Sequence, residues 1–346
     1  MLSVYNRCRA VNVLFSLLAI LALSEVVAAD IVFKSNRNGL SDIYVMNDDG
    51  STVRQLTHTP LWETNARWSP DGKRIVFIRD VRSARGQQID IFVMDADGSH
   101  ERRLTDHPRN DSYPTWSPDG QHIAFSSHRD GNRDIYIMEV ESGNTRKLTK
   151  NKDFTAYSSK PDWSPDGQHI VHEHVIGGGG RHIYITDIEG KDTRPFLKGK
   201  QPPFVGDTVI SKYMPRWSPD GEHVMYFEDH LRFEPARTLR LANLLIVVDK
   251  HGRTPQQLKI PEDWRVDAAC WAANGKKILF SALPNGLRRD IQGQVPLDIY
   301  QYTMSSGKIT QITDTPNHKD SSPDWTPRSL SVSPAGKLIT QWGHLK

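Results

Sequence analysis

The pentapeptide Trp-Ser-Pro-Asp-Gly stands four times in the chain, at Trp68 to Gly72, Trp116 to Gly120, Trp163 to Gly167 and Trp217 to Gly221. Degenerate copies follow at Trp271 (Trp-Ala-Ala-Asn-Gly) and at Trp325 (Trp-Thr-Pro). The six tryptophans are 48, 47, 54, 54 and 54 residues apart and account for six of the nine in the sequence. A period of that length, held along the chain, restricts it to repeat architectures in which each unit is one supersecondary element.

Three more strings recur inside each period. Short β-branched or aromatic runs stand at Ile31-Val32-Phe33, Ile75-Val76-Phe77, Ile123-Ala124-Phe125, Ile170-Val171-His172, Val224-Met225-Tyr226 and Ile278-Leu279-Phe280. A polar residue followed by apolar and aromatic ones opens at Asp42, Asp90, Asp134, His182 and Asp298, with a divergent copy at Leu244 to Val248. The last string begins at Arg54, Arg102, Arg146, Arg194, Gln256 and Thr310. With the tryptophan segment, each unit predicts four short strands. Pro presets φ at the second turn position, Asp bonds its own backbone and Gly takes positive φ, so Ser-Pro-Asp-Gly closes a tight turn. No run has the period of a three-turn helix. The fold class that follows is all-β: a six-bladed β-propeller of four-stranded antiparallel blades. The first strand of the first unit is missing ahead of Ile31, and Trp325 opens a strand with no unit left. The first blade is therefore expected to be closed by strands from both chain ends.

The chain has 346 residues, with 44 Lys plus Arg against 41 Asp plus Glu. This near balance gives no reason to expect nucleic acid, which calls for a concentrated basic surface. Arg7 and Arg9 precede an apolar run from Val13 to Leu23 and small residues up to Ala29, which predicts a signal peptide over residues 1–29. The run is too short for a hydrocarbon core that needs about 20 residues, so no transmembrane span is expected. The organisation expected is a signal peptide at 1–29, the propeller at 30–328 and a tail at 329–346, placing the protein in the periplasm or outside the cell. Beyond the signal one cysteine remains, Cys270. It makes no internal disulfide and is expected to be buried and inert.

Trp-Ser-Pro-Asp-Gly, the strand Ile123 to Ser127 with its turn through Gly131, Asp134-Ile135-Tyr136-Ile137-Met138 and Arg146-Lys147-Leu148-Thr149 resemble the repeat of the TolB-like, WD40-like propellers. The resemblance covers residues 30 to 327. It implies a periplasmic six-bladed propeller that binds envelope protein, and a central channel able to take a cation. The α/β domain ahead of the propeller in TolB is expected to be missing. Hydrolases with related propellers carry a further catalytic domain, and Gly-X-Ser-X-Gly occurs nowhere in this sequence.

Four strands running up and down divide the connections between two faces. The Ser-Pro-Asp-Gly turns share a uniform face. The other face collects the dissimilar loops at residues 79–88, 174–181, 228–243 and 282–297 and the inter-blade segments at 58–65 and 198–215. Long, unlike loops on a rigid scaffold are where binding usually sits. The candidate partner-binding residues there are Trp62, Arg82, Arg85, Arg109, Tyr157, Phe204, Arg232, Phe233, Arg237, Trp264, Arg288 and Arg289. Aromatic residues and arginine are the types enriched at interface hot spots. The repeat residues Trp68, Trp116, Trp163, Trp217, Trp271, Trp325, Asp42, Asp90, Asp134 and Asp298 are assigned structural roles, the aspartates fixing their hairpins. His172 stands in a core aromatic slot, and Gly177 to Gly180 lacks the Lys-Ser/Thr of a phosphate loop.

No motif calls for a cofactor or assigns a catalytic residue. The leading reading is a monomeric, non-catalytic binding module for a protein or peptide of the cell envelope. The alternative is a polysaccharide-acting lyase or hydrolase with a metal at the channel mouth, drawing on His58, His107, His230 or His318. A third reading is a purely structural member of a secreted family.

Overall fold

The computed structural model describes residues 31–81, 86, 88–151, 155–176, 180–198, 204–205, 207–234, 237–286 and 296–326. The expected signal peptide and the tail at 329–346 lie outside them. The described residues form six antiparallel sheets and no α-helix, and none of their helical turns is long and apolar enough to cross a membrane.

Blade 1 pairs β1 (Ile31–Ser35), β2 (Asp42–Met46) and β3 (Arg54–Gln55) with the last strand, β25 (Asp320–Trp325). Blade 2 holds β4–β7 (Glu63–Trp68, Arg74–Asp80, Ile89–Asp95, Arg102–Arg103). Blade 3 holds β8–β11 (Asp111–Trp116, His122–Ser127, Asp134–Glu139, Thr145–Lys147). Blade 4 holds β12–β15 (Tyr157–Trp163, His169–Val175, Arg181–Asp187, Thr193–Pro195). Blade 5 holds β16–β20 (Phe204–Val205, Thr208–Trp217, His223–Glu234, Arg237–Asp249, Gln256–Gln257). Blade 6 holds β21–β24 (Arg265–Ala272, Lys277–Leu283, Asp298–Thr303, Ile309–Gln311). The fold is the six-bladed propeller that the repeat predicts, and β25 closes blade 1 with Ile31 opposite Trp325 and Ser35 opposite Asp320.

Each repeated tryptophan stands at the end of the innermost strand of its blade, or in blade 6 one residue before it, and packs onto the blade before it. Trp68 lies with Val32 and Ile43, Trp116 with Val76 and Ile91, Trp163 with Ala124 and Ile135. Trp217 lies with Val171 and Phe196, Trp271 with Met225 and Leu245, and Trp325 with Leu279 and Ile299. The core is thus a circuit of six interfaces, each between sheets whose facing strands are apolar on both sides. The turn that follows each tryptophan is built by its own side chains. In blade 2 the Gly72 amide bonds the Ser69 carbonyl at 2.9 Å, Gly72 has φ +67, and the Ser69 hydroxyl donates to Asp71 at 2.6 Å.

A second repeated device joins the third strand to the end of the fourth. The amides of Ile43, Ile91, Ile135 and Ile299 donate to the hydroxyls of Thr57, Thr105, Thr149 and Thr313 at 2.9–3.0 Å. The aspartate before each isoleucine bonds the same segment, as Thr149 to Asp134 at 2.8 Å and Thr313 to Asp298 at 3.2 Å. Asp42 accepts from Gln55, and Asp90 from Arg103. Arg37 and Arg129 do not pair with these aspartates; they reach Asp320 and Asp111 at 2.8 and 3.0 Å on the innermost strands.

One blade departs from the four-short-strand expectation. Blade 5 has five strands, and segments read as loops at 198–215 and 228–243 are largely strand. Pairing of Thr208 with Arg232 and of Glu234 with Arg237 bonds the facing edges of these segments, which a wandering loop would leave to water.

Two outcomes follow. Removing residues 320–346 takes away β25 and should abolish cooperative thermal unfolding; a soluble truncation that melts cooperatively would contradict the closure. Replacing the buried Trp116 by alanine should lower stability by about 3–5 kcal/mol in denaturant titration, and a loss below 1 kcal/mol would deny the tryptophan its place between blades.

Candidate functional site

The two ends of the channel differ in chemistry. On the turn face the innermost strands end around a cavity of about 320 Å³ bordered by Pro70, Pro118, Pro165 and Pro219. The residues just before the six tryptophans run Asp324, Arg67, Thr115, Asp162, Arg216 and Cys270 around the ring, so Asp followed by Arg recurs after three blades. Asp324 holds Arg67 Nη1 at 2.8 Å and the Trp68 amide at 2.9 Å. Asp162 repeats this with Arg216 at 3.0 Å and the Trp217 amide at 2.9 Å. Burial pushes the Asp162 carboxyl up to about 7, opposed by the nearby Arg67. These are inter-blade clasps between the ends of neighbouring innermost strands. The Cys270 thiol is buried and pushed upwards by that burial. The sequence carried a signal for the ring in the alternation before tryptophan, but only the closed circle brings its members together.

Towards the opposite face every innermost strand is interrupted by a β-bulge. Asn65, Tyr113, Lys160, Met214 and Ser322, each three residues before a tryptophan, have φ of 52–55°. Left-handed conformation costs a non-glycine residue of the order of 1 kcal/mol, and bulges re-aim side chains. Lys160 is turned between the rings of Tyr113 and Tyr213, 5.4 and 5.2 Å from their centroids, with Glu173 at 3.1 Å. Lys34 stands 5.9 Å from the Trp62 ring, and burial lowers its ammonium to about 8, helped by Lys319.

Blade 5 rises furthest on this face. Its strands β18 and β19 have 12 and 13 residues, against five to seven in the corresponding middle strands of the other blades. Roughly six extra residues per strand project about 20 Å. A bulge lies between His230 and Leu231, and below it Asp229 accepts from Asn243 at 2.7 Å and from Arg240 at 3.1 Å. Phe233 is 62% exposed and Leu241 46%. Leu241 was missed in the sequence, although the alternation Leu-Arg-Phe-Glu at 231–234 and Leu-Arg-Leu at 239–241 is strand-like.

The other candidates scatter. Arg232 lies beside Phe233, 3.8 Å from Asp207 and 3.9 Å from Glu234. Phe204 and Arg237 belong to β16 and β19, their side chains outside the description. Arg82, Arg85, Arg288 and Arg289 lie outside the described residues. Trp62 is half-buried against the blade 2 and 3 core, and Trp264 against Tyr300 at 4.7 Å. Tyr157 is half-buried with the Arg133 guanidinium 5.6 Å from its ring, and Arg109 is exposed.

Among the described residues no three His, Cys, Asp or Glu side chains are gathered as a metal site. His230 is held by Glu228 at 2.8 Å. His172 is fully buried in blade 4, donating from Nδ1 to the Glu173 carbonyl at 3.2 Å and accepting from the Thr186 hydroxyl at 2.9 Å. Burial lowers its pKa to about 3.

A six-bladed propeller closed by both chain ends, with one enlarged blade, defines the class. The family model of the TolB beta propeller domain matches residues 80–273, and the chain belongs to that family. No curated protein matches it. Among solved structures it is similar to TolB from Acinetobacter baumannii, with 14% identity, TM-score 0.61, and coverage of 86% of this chain and 67% of that one. It is similar to a putative TolB from Agrobacterium tumefaciens at 16% identity and TM-score 0.59, covering 86% and 99%. Hydrazine synthase of Kuenenia stuttgartiensis matches at 16% identity and TM-score 0.64, covering 85% and 46%. At these identities the likeness is one of fold.

His172 yields a pH prediction. The unfolded chain protonates it near 6.5, whereas the fold keeps it neutral to about 3, so its contribution falls as pH drops through that window. His172→Phe, the residue type of the same slot in blades 1, 2, 3 and 6, should gain stability relative to wild type progressively from pH 6.5 to 3 in denaturant titrations. A pH-independent difference would contradict the neutral, buried assignment.

Proposed function

We propose that this chain is a secreted or periplasmic, non-catalytic binding protein whose propeller captures a protein or peptide of the cell envelope through the face opposite the Ser-Pro-Asp-Gly turns. The observation that carries this reading is the departure of blade 5 from the repeat: among the described residues it alone sends 12- and 13-residue strands outwards, and they bear exposed Phe233 and Leu241 together with Arg232. Large apolar side chains held out in water on a rigid scaffold are suited to burial against a partner. An aromatic anchor next to arginine has the composition of an interface centre. The family membership supports the scaffold role, and the segment at 1–29 supports the location.

Affinity capture from an envelope extract tests this, with wild-type protein and the triple variant Arg232→Ala, Phe233→Ala, Arg237→Ala as baits. Wild type should retain a defined partner that the variant loses at unchanged melting temperature. Equal capture by both would remove blade 5 from the binding surface.

A further inference from the structure

The projecting part of blade 5 leaves a strand edge open. β20 pairs with β19 only at Ile246 and Val247, and the Leu258 amide extends this by one bond to the Leu245 carbonyl at 2.9 Å. Next along β19, Asn243 is buried and its side chain accepts the Val266 amide of blade 6 at 2.7 Å. From Thr238 to Ala242 no described residue bonds β19 on the side away from β18. In blades 1, 2, 3 and 6 the threonine clasp caps the third strand at this level; in blade 5 Leu244 and Lys259 stand where the aspartate and threonine would be.

Alternate residues of a strand turn their N–H and C=O groups to opposite edges; the bulge leaves Leu241 as the extra residue between Arg240 and Ala242, so this five-residue row, about 17 Å long, offers its outward donors and acceptors on both sides of that irregularity. An uncovered edge of that kind is a template for another strand. We propose that the Thr238–Ala242 edge takes an extended segment of a partner protein as an added antiparallel strand, with an acidic residue opposite Arg240 and apolar side chains beside Leu239 and Leu241. The proposal rests on reading this face as the partner-binding surface and specifies how the partner is held. Charge selects the occupant. A second copy pairing along the same five residues would set Arg240, their midpoint, directly against itself, and like charges opposed across strands are destabilising. A strand carrying Asp or Glu there meets a part-exposed guanidinium whose ion-pair partner among the described residues is Asp229, at 3.1 Å. Main-chain bonds would supply the affinity, and the alternate side chains the selectivity.

The test uses random dodecapeptides displayed on phage and selected on the purified protein. Selected peptides are remade with single backbone N-methyl groups and titrated against wild type, Arg240→Gln, and the Arg232/Phe233/Arg237 triple alanine variant. Strand addition predicts acidic-apolar peptides, a loss of about tenfold for each N-methyl group at every second position with little effect between, and loss of the acidic preference in Arg240→Gln. Bound peptide should also slow hydrogen exchange of the outward amides within residues 238–242. Peptides that fail on the triple variant yet show neither the alternating pattern nor this protection would overturn strand addition and leave the binding face standing. Peptides indifferent to the triple variant, or the absence of any selected peptide, would overturn both. Protection at 238–242 that grows with protein concentration without peptide would overturn the proposal in favour of self-pairing.

Discussion

A four-stranded blade standing alone leaves both of its apolar faces in water, and this single constraint shapes the molecule. Each blade must have a neighbour on either side, which only a closed ring provides. The tryptophan at or beside the end of each innermost strand makes that neighbour obligatory, because its ring lies on the preceding blade: Trp68 on Val32 and Ile43, and so round to Trp325 on Leu279 and Ile299. The ring is completed non-covalently by β25 beside β1, and Asp324 at the end of that strand clasps Arg67 of the next blade at 2.8 Å. The one cysteine among the described residues, Cys270, is free and buried.

Once the ring is fixed, its two faces are free to differ. The turn face repeats because Ser, Pro, Asp and Gly are each needed for the same tight reversal. The opposite face bears no such constraint, and one blade exploits this by continuing its strands beyond the ring. The bulges along the innermost strands show that the scaffold tolerates local strain to set side chains at the channel, as with Lys160 between Tyr113 and Tyr213. That end of the channel and the blade 5 projection lie on the same face.

The architecture was legible because it is written six times: a turn string, a β-branched string and an Asp-Ile-aromatic string each recur in register. Blade 5 was not, because a repeat reveals what the blades share and the projection is what one blade does not share. Its alternation around Leu231, Phe233, Leu239 and Leu241 was strand-like, but the charged residues between them and Pro235 in the sequence read equally as a polar loop. The exposed candidates were chosen by residue type, and type does not report burial: Trp62 and Trp264 are half-buried against blade cores while Phe233 is not. The Asp–Arg clasps of the channel depend on residues up to 257 positions apart in sequence, which spacing alone does not bring together.

The central claim, that binding belongs to the face carrying blade 5 and not to the face of the turns, is tested most directly by site-specific photocrosslinking in intact cells. A benzophenone side chain is placed at Phe233 in one variant and at Pro118, on the turn-face cavity, in another. The account predicts a discrete crosslinked partner from position 233 and none from 118. A partner crosslinked from 118 and not from 233 would contradict it.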